Sequence, residues 1–352
     1  MAGRYHLRIY LKRSSRESRP LWRFPRGSPT ANFPSQNWAG FAFPSTNCMD
    51  EMTVRYAVLL KVHYWDDFVE RGFRHLLRQV STGDIYIFVD ETHGPIGQIP
   101  HDRVIRATER DLEKLEVSLD PHGKVFWFNA DYPLYYLYLQ NNSYDYYLMC
   151  EYDTIFNIEI DDFVATAAAD HVDYVGFPFA EKFASWDWSQ TCEGVYPAAF
   201  RLYNWLNAIS LHSKRSVEFL LERRQSLTRS YRAGEIANWP YSEAFIPTEM
   251  KNNDFVVRSL ADFGKVENYN WWPPTHERDL PSLQNQGFLH PVLNEPKYTA
   301  SCLRFGSLRS YFLPNGQLRR LLSRSTRSQL SLLPAFLSEV IRRIRLLGFA
   351  SR

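Results

Sequence analysis

From Val54 onward, hydrophobic and polar residues fall into two alternating rhythms. "VRYAVLLKV" is a short, nearly continuous apolar run of strand formers. "DDFVERGFRHLLRQV" then sets Phe68, Val69, Phe73, Leu76, Leu77 and Val80 at helical spacing, with Asp66 or Asp67 available as a cap. "DIYIFVDE" is a second strand. Strand, helix and strand in this order make a βαβ unit, which implies parallel strands and a right-handed crossover. The unit recurs with variation. "VIRAT" reads as a short third strand and "ERDLEKLEV" as a helix. "KVFWFNADYPLYYLYLQNN" reads as a strand and then a helix from near Tyr132. "YDYYLMCEYD" is a strand, "IDDFVATAAAD" a helix and "VDYVGFPF" a further strand. Alternating elements of this length predict an α/β fold, an α/β/α sandwich around a mostly parallel sheet.

Beyond Phe179 the rhythm weakens. "SWDWSQTCEGVYP" reads as aromatic loop, and "SVEFLLERRQSLTRSYRAG" as a helix ended by Gly234. "WPYSEAFIPTEMKNNDFVVRSLADFG" holds a second helix ended by Gly264, and "NWWPPTHERDLPSLQNQGFLHPV" is loop-rich. Residues 1–52 show no sustained period and are rich in Arg, Ser, Pro and Asn, so they read as an irregular leader. Met52 stands directly before the first strand, where translation would start if the leader is not native. From Ser331, Phe336, Leu337, Val340, Ile341, Ile344 and Leu347 recur at helical spacing with Arg342, Arg343 and Arg345 on other faces. Such a basic amphipathic helix either lies on an anionic membrane surface or packs on its own domain or a partner. The expected organisation is a leader over 1–52, a ligand-binding α/β half over 53–180, a loop-rich second half over 181–306 and a basic tail over 307–352.

Composition refines this picture. At 45% hydrophobic residues, the 352-residue chain has ample material for a core. Cys48, Cys150, Cys192 and Cys302 lie far apart without a C-x-x-C pair, which argues against a disulfide or zinc framework and for a reducing, cytoplasmic setting. No stretch is long and apolar enough to predict a transmembrane helix, so any membrane contact is expected to be peripheral. The formal charge of +2 conceals an asymmetry: eight Lys or Arg stand against three acids up to Met52, and nine Arg against one Glu from Ser307, which leaves the segment between near −11. An acidic body argues against nucleic acid as a partner and suits an enzyme that recruits divalent cations. The P-loop, G-x-G-x-x-G, G-x-S-x-G and H-E-x-x-H patterns are absent from the sequence.

The strongest chemical signal is the end of "YDYYLMCEYD". Open parallel sheets bind ligands beyond the carboxyl ends of their strands. Residues i and i+2 of an extended chain share a side, so Glu151 and Asp153 converge there. Two converging carboxylates repel unless a cation lies between them, and Mg²⁺ or Mn²⁺ takes such hard oxygen ligands while sharing the rest of its shell with phosphates. A solvated turn or a cap for the next helix is the competing use of the same pair.

This strand end resembles the D-x-D metal strand of GT-A fold, nucleotide-sugar-dependent glycosyltransferases, with Glu in place of the first Asp. The resemblance covers Val54 to His290. It implies a GT-A-like Rossmann-type sandwich with a loop-rich acceptor half, and a donor diphosphate held by Mn²⁺ or Mg²⁺ on Asp153 and Glu151. Glu151 would bind the metal through water or contact the donor ribose. It also implies that Asp90, ending the second strand, contacts the nucleotide, and that Asn129 and Asp131 contact the donor; Asp131 serves equally well as a helix cap. "WPYSEAFIPTEM" resembles the segment of branching N-acetylglucosaminyltransferase-like families in which an acid opens a helix. Glu243 falls on that acid as the candidate base, with Glu249 in reserve. His290 of "FLHPV" is the candidate third metal or diphosphate contact. Trp186, Trp188, Trp239, Trp271 and Trp272 are material for stacking on sugars or for the core. The expected partners are a nucleotide-sugar donor and a glycan or other hydroxyl acceptor. The rival readings are a nucleotidyl- or sugar-phosphate transferase and a non-catalytic, membrane-peripheral binding protein.

Overall fold

The computed structural model describes residues 54–118, 125–325 and 329–350. The leader 1–52 and the start at Met52 lie outside the described residues. Residues 53–341 form one compact unit. Strands in chain order are β1 (Tyr56–Val62), β2 (Asp84–Asp90), β3 (Val104–Ala107), β4 (Tyr146–Glu151), β5 (Ile155–Phe156), β6 (Tyr174–Pro178), β7 (Trp205–Ser213), β8 (Val257–Ser259), β9 (Thr275–His276), β10 (Phe288–Leu289) and β11 (Val292–Leu293). Helices are α1 (Asp67–Leu77), α2 (Val125–Phe128), α3 (Tyr132–Gln140), α4 (Ile160–Ala169), α5 (Lys214–Arg232), α6 (Ser242–Lys251), α7 (Glu295–Phe305), α8 (Gln317–Leu322) and α9 (Gln329–Ala350).

The central sheet has seven strands in the order β3-β2-β1-β4-β7-β6-β8. Only β7 is reversed, antiparallel to both β4 and β6, while the other pairings are parallel. The expected α/β class and mostly parallel sheet are therefore present. All seven residues of β1 are buried, which is why its sequence reads as a continuous apolar run rather than an alternation. Tyr56, Val58, Leu60 and Val62 enter a core shared with α1 and α4, whereas Ala57 and Leu59 enter one shared with α3, α5 and α6. Each fully buried Leu or Phe in these layers contributes on the order of 2 kcal/mol by leaving water. α1 starts where expected, because the Asp66 carboxylate accepts from the Phe68 and Val69 amides at 3.1 and 3.0 Å. Residues of 181–306 supply β7 and β8, so the two expected halves share one sheet.

Three local expectations are corrected. "KVFWF" is not a strand: α2 is helical, because Asn129 returns both its backbone N–H (2.8 Å) and its side-chain amide (3.2 Å) to the Val125 carbonyl. β7 arises where no strand was expected, in "WLNAISLHS". α6 ends at Lys251 rather than Gly264, and Val257–Ser259 after it becomes the edge strand β8. Cys150, Cys192 and Cys302 are buried free thiols. Among the described residues, no helix is long and apolar enough to cross a membrane.

Candidate metal centre at the carboxyl edge of the sheet

β1 and β4 run side by side with Lys61 in register with Glu151, so the last residues of two central strands meet at the carboxyl edge. Lys61 is buried, and its ammonium donates to Glu151 Oε1 at 2.6 Å and to the Phe126 carbonyl at 3.2 Å. The chain turns immediately after β4, with the Thr154 amide and hydroxyl both bonded to the Glu151 carbonyl at 3.1 and 2.7 Å. That turn exposes one edge of β5 to a segment far along the chain. β10 pairs with β5 antiparallel, Leu289 opposite Ile155, and the Val292 amide donates to the Asp153 carbonyl at 2.8 Å. Ile155, Leu289 and Val292 form a small apolar cluster beneath this junction.

The junction delivers His290 to the carboxylates. Its Nε2 lies 3.7 Å from Asp153 Oδ1 and 3.8 Å from Glu151 Oε2. Its Nδ1 is 2.8 Å from the Asn270 carbonyl, which only accepts, so Nδ1 carries a proton. Nε2 is therefore the ring atom turned toward the carboxylates, the orientation that a carbonyl on the other nitrogen fixes in metal-binding histidines. One ligand atom from each of Glu151, Asp153 and His290 lies within 4.8 Å of the others. Asp153 Oδ1 is buried without a hydrogen-bond partner. A buried oxygen in that condition is costly unless something else satisfies it. Two carboxylates and an imidazole, with one carboxylate oxygen orphaned, are a fitting donor set for a metal cation. Burial pushes Asp153 up to about 6 against the pull of His290, and Glu151 repels it further. Burial also raises Glu151, but Lys61 and His290 outweigh it and hold that carboxyl below its ordinary range.

The chain matches no protein-family model and no curated protein sequence.

Of the other residues singled out in the sequence, Glu243 is the one the fold brings into electrostatic range of this cluster. It stands in the first turn of α6, and burial together with the charge of Glu151 pushes it up to about 8. No hydrogen-bond or ion-pair partner holds its carboxyl among the described residues. The scaffold behind it is specific. Asn207 of β7 donates to the Ser242 carbonyl at 3.1 Å, and the Ala130 amide donates to the Ser242 hydroxyl at 3.2 Å. Pro247 supplies no N–H to the Glu243 carbonyl, so that carbonyl lacks its ordinary helical partner.

Asn129 and Asp131 belong to that scaffold rather than to the open edge. Asn129 is fully buried and accepts from the Trp239 indole at 2.9 Å. Asp131 is fully buried, bound by Arg224 at 2.7 and 3.2 Å and by the Tyr135 hydroxyl at 2.9 Å. Arg224 in turn donates to the Pro240 carbonyl at 2.8 Å and lies 3.7 Å from the Phe245 ring centre. Both residues thus position the 239–242 turn from below. Glu249 is also internal, ion-paired with Arg223 at 3.1 Å. Asp90 stays at the carboxyl edge, where Thr92 donates to one of its oxygens from both amide and hydroxyl.

Trp186 and Trp239 are core residues, Trp272 is partly buried, and Trp188 and Trp271 are exposed. The sequence reading missed Lys61 and Trp127. Lys61 was detectable as the single charge within the apolar run of β1. Trp127 is 68% exposed and follows Phe126, whose carbonyl binds Lys61. Next to it, Phe128 stacks on Tyr241 at 4.1 Å and meets Trp188 edge-on at 5.6 Å. Phe128, Trp188 and Tyr241 thus form one aromatic cluster, two residues before Glu243 at its Tyr241 end.

Proposed function

We propose that the protein is a metal-dependent glycosyltransferase that moves a sugar from a nucleotide-diphosphate donor to an acceptor hydroxyl, in the manner of GT-A fold enzymes. The observation that carries the reading is the Glu151–Asp153–His290 cluster, with its orphaned oxygen, at the carboxyl edge of a central parallel strand. Ligands of open α/β sheets bind at that edge. Asp153, Glu151 and His290 would hold Mn²⁺ or Mg²⁺. The cation there supplies Lewis-acid stabilisation of the charge on a departing diphosphate.

The protein's own side chains account for the rest. Lys61 neutralises one Glu151 oxygen, leaving Oε2 on the His290 side. Asp90 lies at the same edge, where a nucleoside would extend. The exposed rings of Trp127 and Trp188 offer flat faces for the acceptor's sugar rings. Glu243 takes the acceptor proton as its oxygen bonds to the anomeric carbon and the bond from that carbon to the diphosphate oxygen breaks. With Glu243 as base, configuration inverts. Its raised affinity for protons suits that task.

The test measures both binding and products. Wild type and Asp153→Asn are incubated with UDP- and GDP-sugars, with and without Mn²⁺, and scored for free nucleoside diphosphate and for thermal stabilisation. Metal-dependent stabilisation and diphosphate release, both lost in the variant, support the reading. Release of pyrophosphate or sugar phosphate instead assigns a nucleotidyl- or sugar-phosphate transferase. Stabilisation without turnover assigns a binding protein.

A further inference from the structure

The helices that follow the site carry a feature unrelated to sugar transfer. α7, α8 and the start of α9 bury a satellite core of their own, in which Leu332 joins Tyr298, Cys302, Leu318 and Leu321. Leu332 and Phe336 turn toward this core. On a helix packed by one face, the remaining faces are normally polar. In α9 the flank beside the packed face is not: Leu333, Leu337 and Ile341, spaced four residues apart, form one stripe in which each is 50% exposed. On the Phe336 side, Phe312 is 71% exposed with its ring 5.9 Å from Phe336, and Leu313 beside it is exposed as well.

An exposed stripe of this kind marks an interaction surface, and its surroundings decide the partner. From Ser307 to the end of the sequence nine arginines stand against a single Glu. Arg309, Arg319 and Arg320 are exposed, and no acid among the described residues pairs with them. Arg319 and Arg320 belong to α8, whose Leu318, Leu321 and Leu322 enter the same satellite core as Leu332. Apolar side chains that reach outward beside unpaired guanidinium groups match an interface of acyl chains under anionic headgroups. None of the described helices is long and apolar enough to span a bilayer, so contact of α9 with one would run along its surface. We propose that the Leu333–Leu337–Ile341 face, with the arginines of the satellite helices, adsorbs to the surface of an anionic lipid bilayer.

The experiment is co-sedimentation of the full chain with vesicles of phosphatidylcholine alone or with about 30 mol% phosphatidylserine. Wild type is expected to sediment with the anionic vesicles only, and to be released in about 0.5 M salt, where the Debye length falls to a few Å. The triple variant Leu333→Ser/Leu337→Ser/Ile341→Ser changes exposed side chains, so its thermal unfolding should match wild type while its vesicle affinity falls at least roughly tenfold. Arg319→Gln and Arg320→Gln should each weaken binding by roughly fivefold. Failure of wild type to bind the anionic vesicles, or undiminished binding by the triple variant, overturns the proposal. Concentration-dependent self-association that the triple variant abolishes, without vesicle binding, overturns it in favour of a second copy of this chain.

Discussion

Replacing Asp153 by Asn should make the metal-free protein more stable and the metal-loaded protein less responsive. The carboxyl is buried, has one oxygen without a partner and titrates at about 6 instead of 3.8. Between those pH values the native state binds more protons than the unfolded chain, so this group's contribution to stability falls as pH rises. Above pH 6 the full penalty is present, and at about 1.4 kcal/mol per pH unit it amounts to roughly 3 kcal/mol. Asn removes that penalty but leaves a buried amide poorly satisfied, at a cost of about 1–2 kcal/mol. The net gain at pH 7.5 in EDTA is about 1–2 kcal/mol, or roughly 2–4 °C in Tm. At pH 4 the carboxyl is already largely protonated, and the variant should show no advantage. Mn²⁺ at about 100-fold over Kd should add ~2.7 kcal/mol to wild type and almost nothing to the variant, so the order of stabilities inverts on loading. Differential scanning calorimetry at both pH values, with EDTA or MnCl₂, reads all four corners. A variant destabilised in EDTA at pH 7.5, or one that responds to Mn²⁺ as wild type does, refutes the assignment of Asp153 as a ligand.

Glu243→Gln should retain Mn²⁺-dependent thermal stabilisation while losing about 10²–10⁴-fold in turnover, and it should flatten the limb of the wild-type pH–rate profile that rises as this carboxyl ionises below about 8; turnover within tenfold of wild type removes it as base. Lys61→Met leaves half-buried Glu151 beside Asp153 without its cation, so urea unfolding in EDTA should show a loss of about 1–3 kcal/mol, partly restored by MnCl₂; no restoration would separate Lys61 from the metal centre. Asp131→Asn orphans Arg224, and a loss of about 3–5 kcal/mol is expected with the Mn²⁺ increment unchanged; a selective loss of the Mn²⁺ increment would return Asp131 to the ligand site.

The parts of the fold legible in the sequence are those where burial and periodicity agree. β1, α1, β2, β4, α4 and β6 follow their apolar patterns because each is covered on the faces that the pattern implies. β7 escaped because it is buried on both faces and still carries Asn207, Ser210 and His212, so it shows neither alternation nor a continuous apolar run. Its polar residues are internal connectors: Asn207 accepts from the Tyr174 hydroxyl at 2.6 Å and ties the start of α6. Glu151 and Asp153 were legible because a strand end fixes where its carboxylates go. Asn129 and Asp131 read as ligand contacts because nothing in a linear sequence discloses Arg224 and Trp239, which lie 93 and 110 residues away and take up their polar atoms. His290 could be singled out as a residue type, but its approach to Asp153 depends on β10 pairing with β5, two residues on each side.

That two-residue pairing gives the centre a position in time as well as in space. During synthesis the chain can complete β4 and its carboxylates well before His290 exists, and until then Lys61 is the one group of the cluster that offsets their repulsion. The third donor arrives only when the late segment folds back onto β5. Cation affinity should therefore switch on as one of the last events of maturation, and a chain cut anywhere between β8 and β10 should keep most of its sheet while holding Mn²⁺ poorly. If the centre holds a cation, its retention would separate finished molecules from those whose sheet alone has assembled.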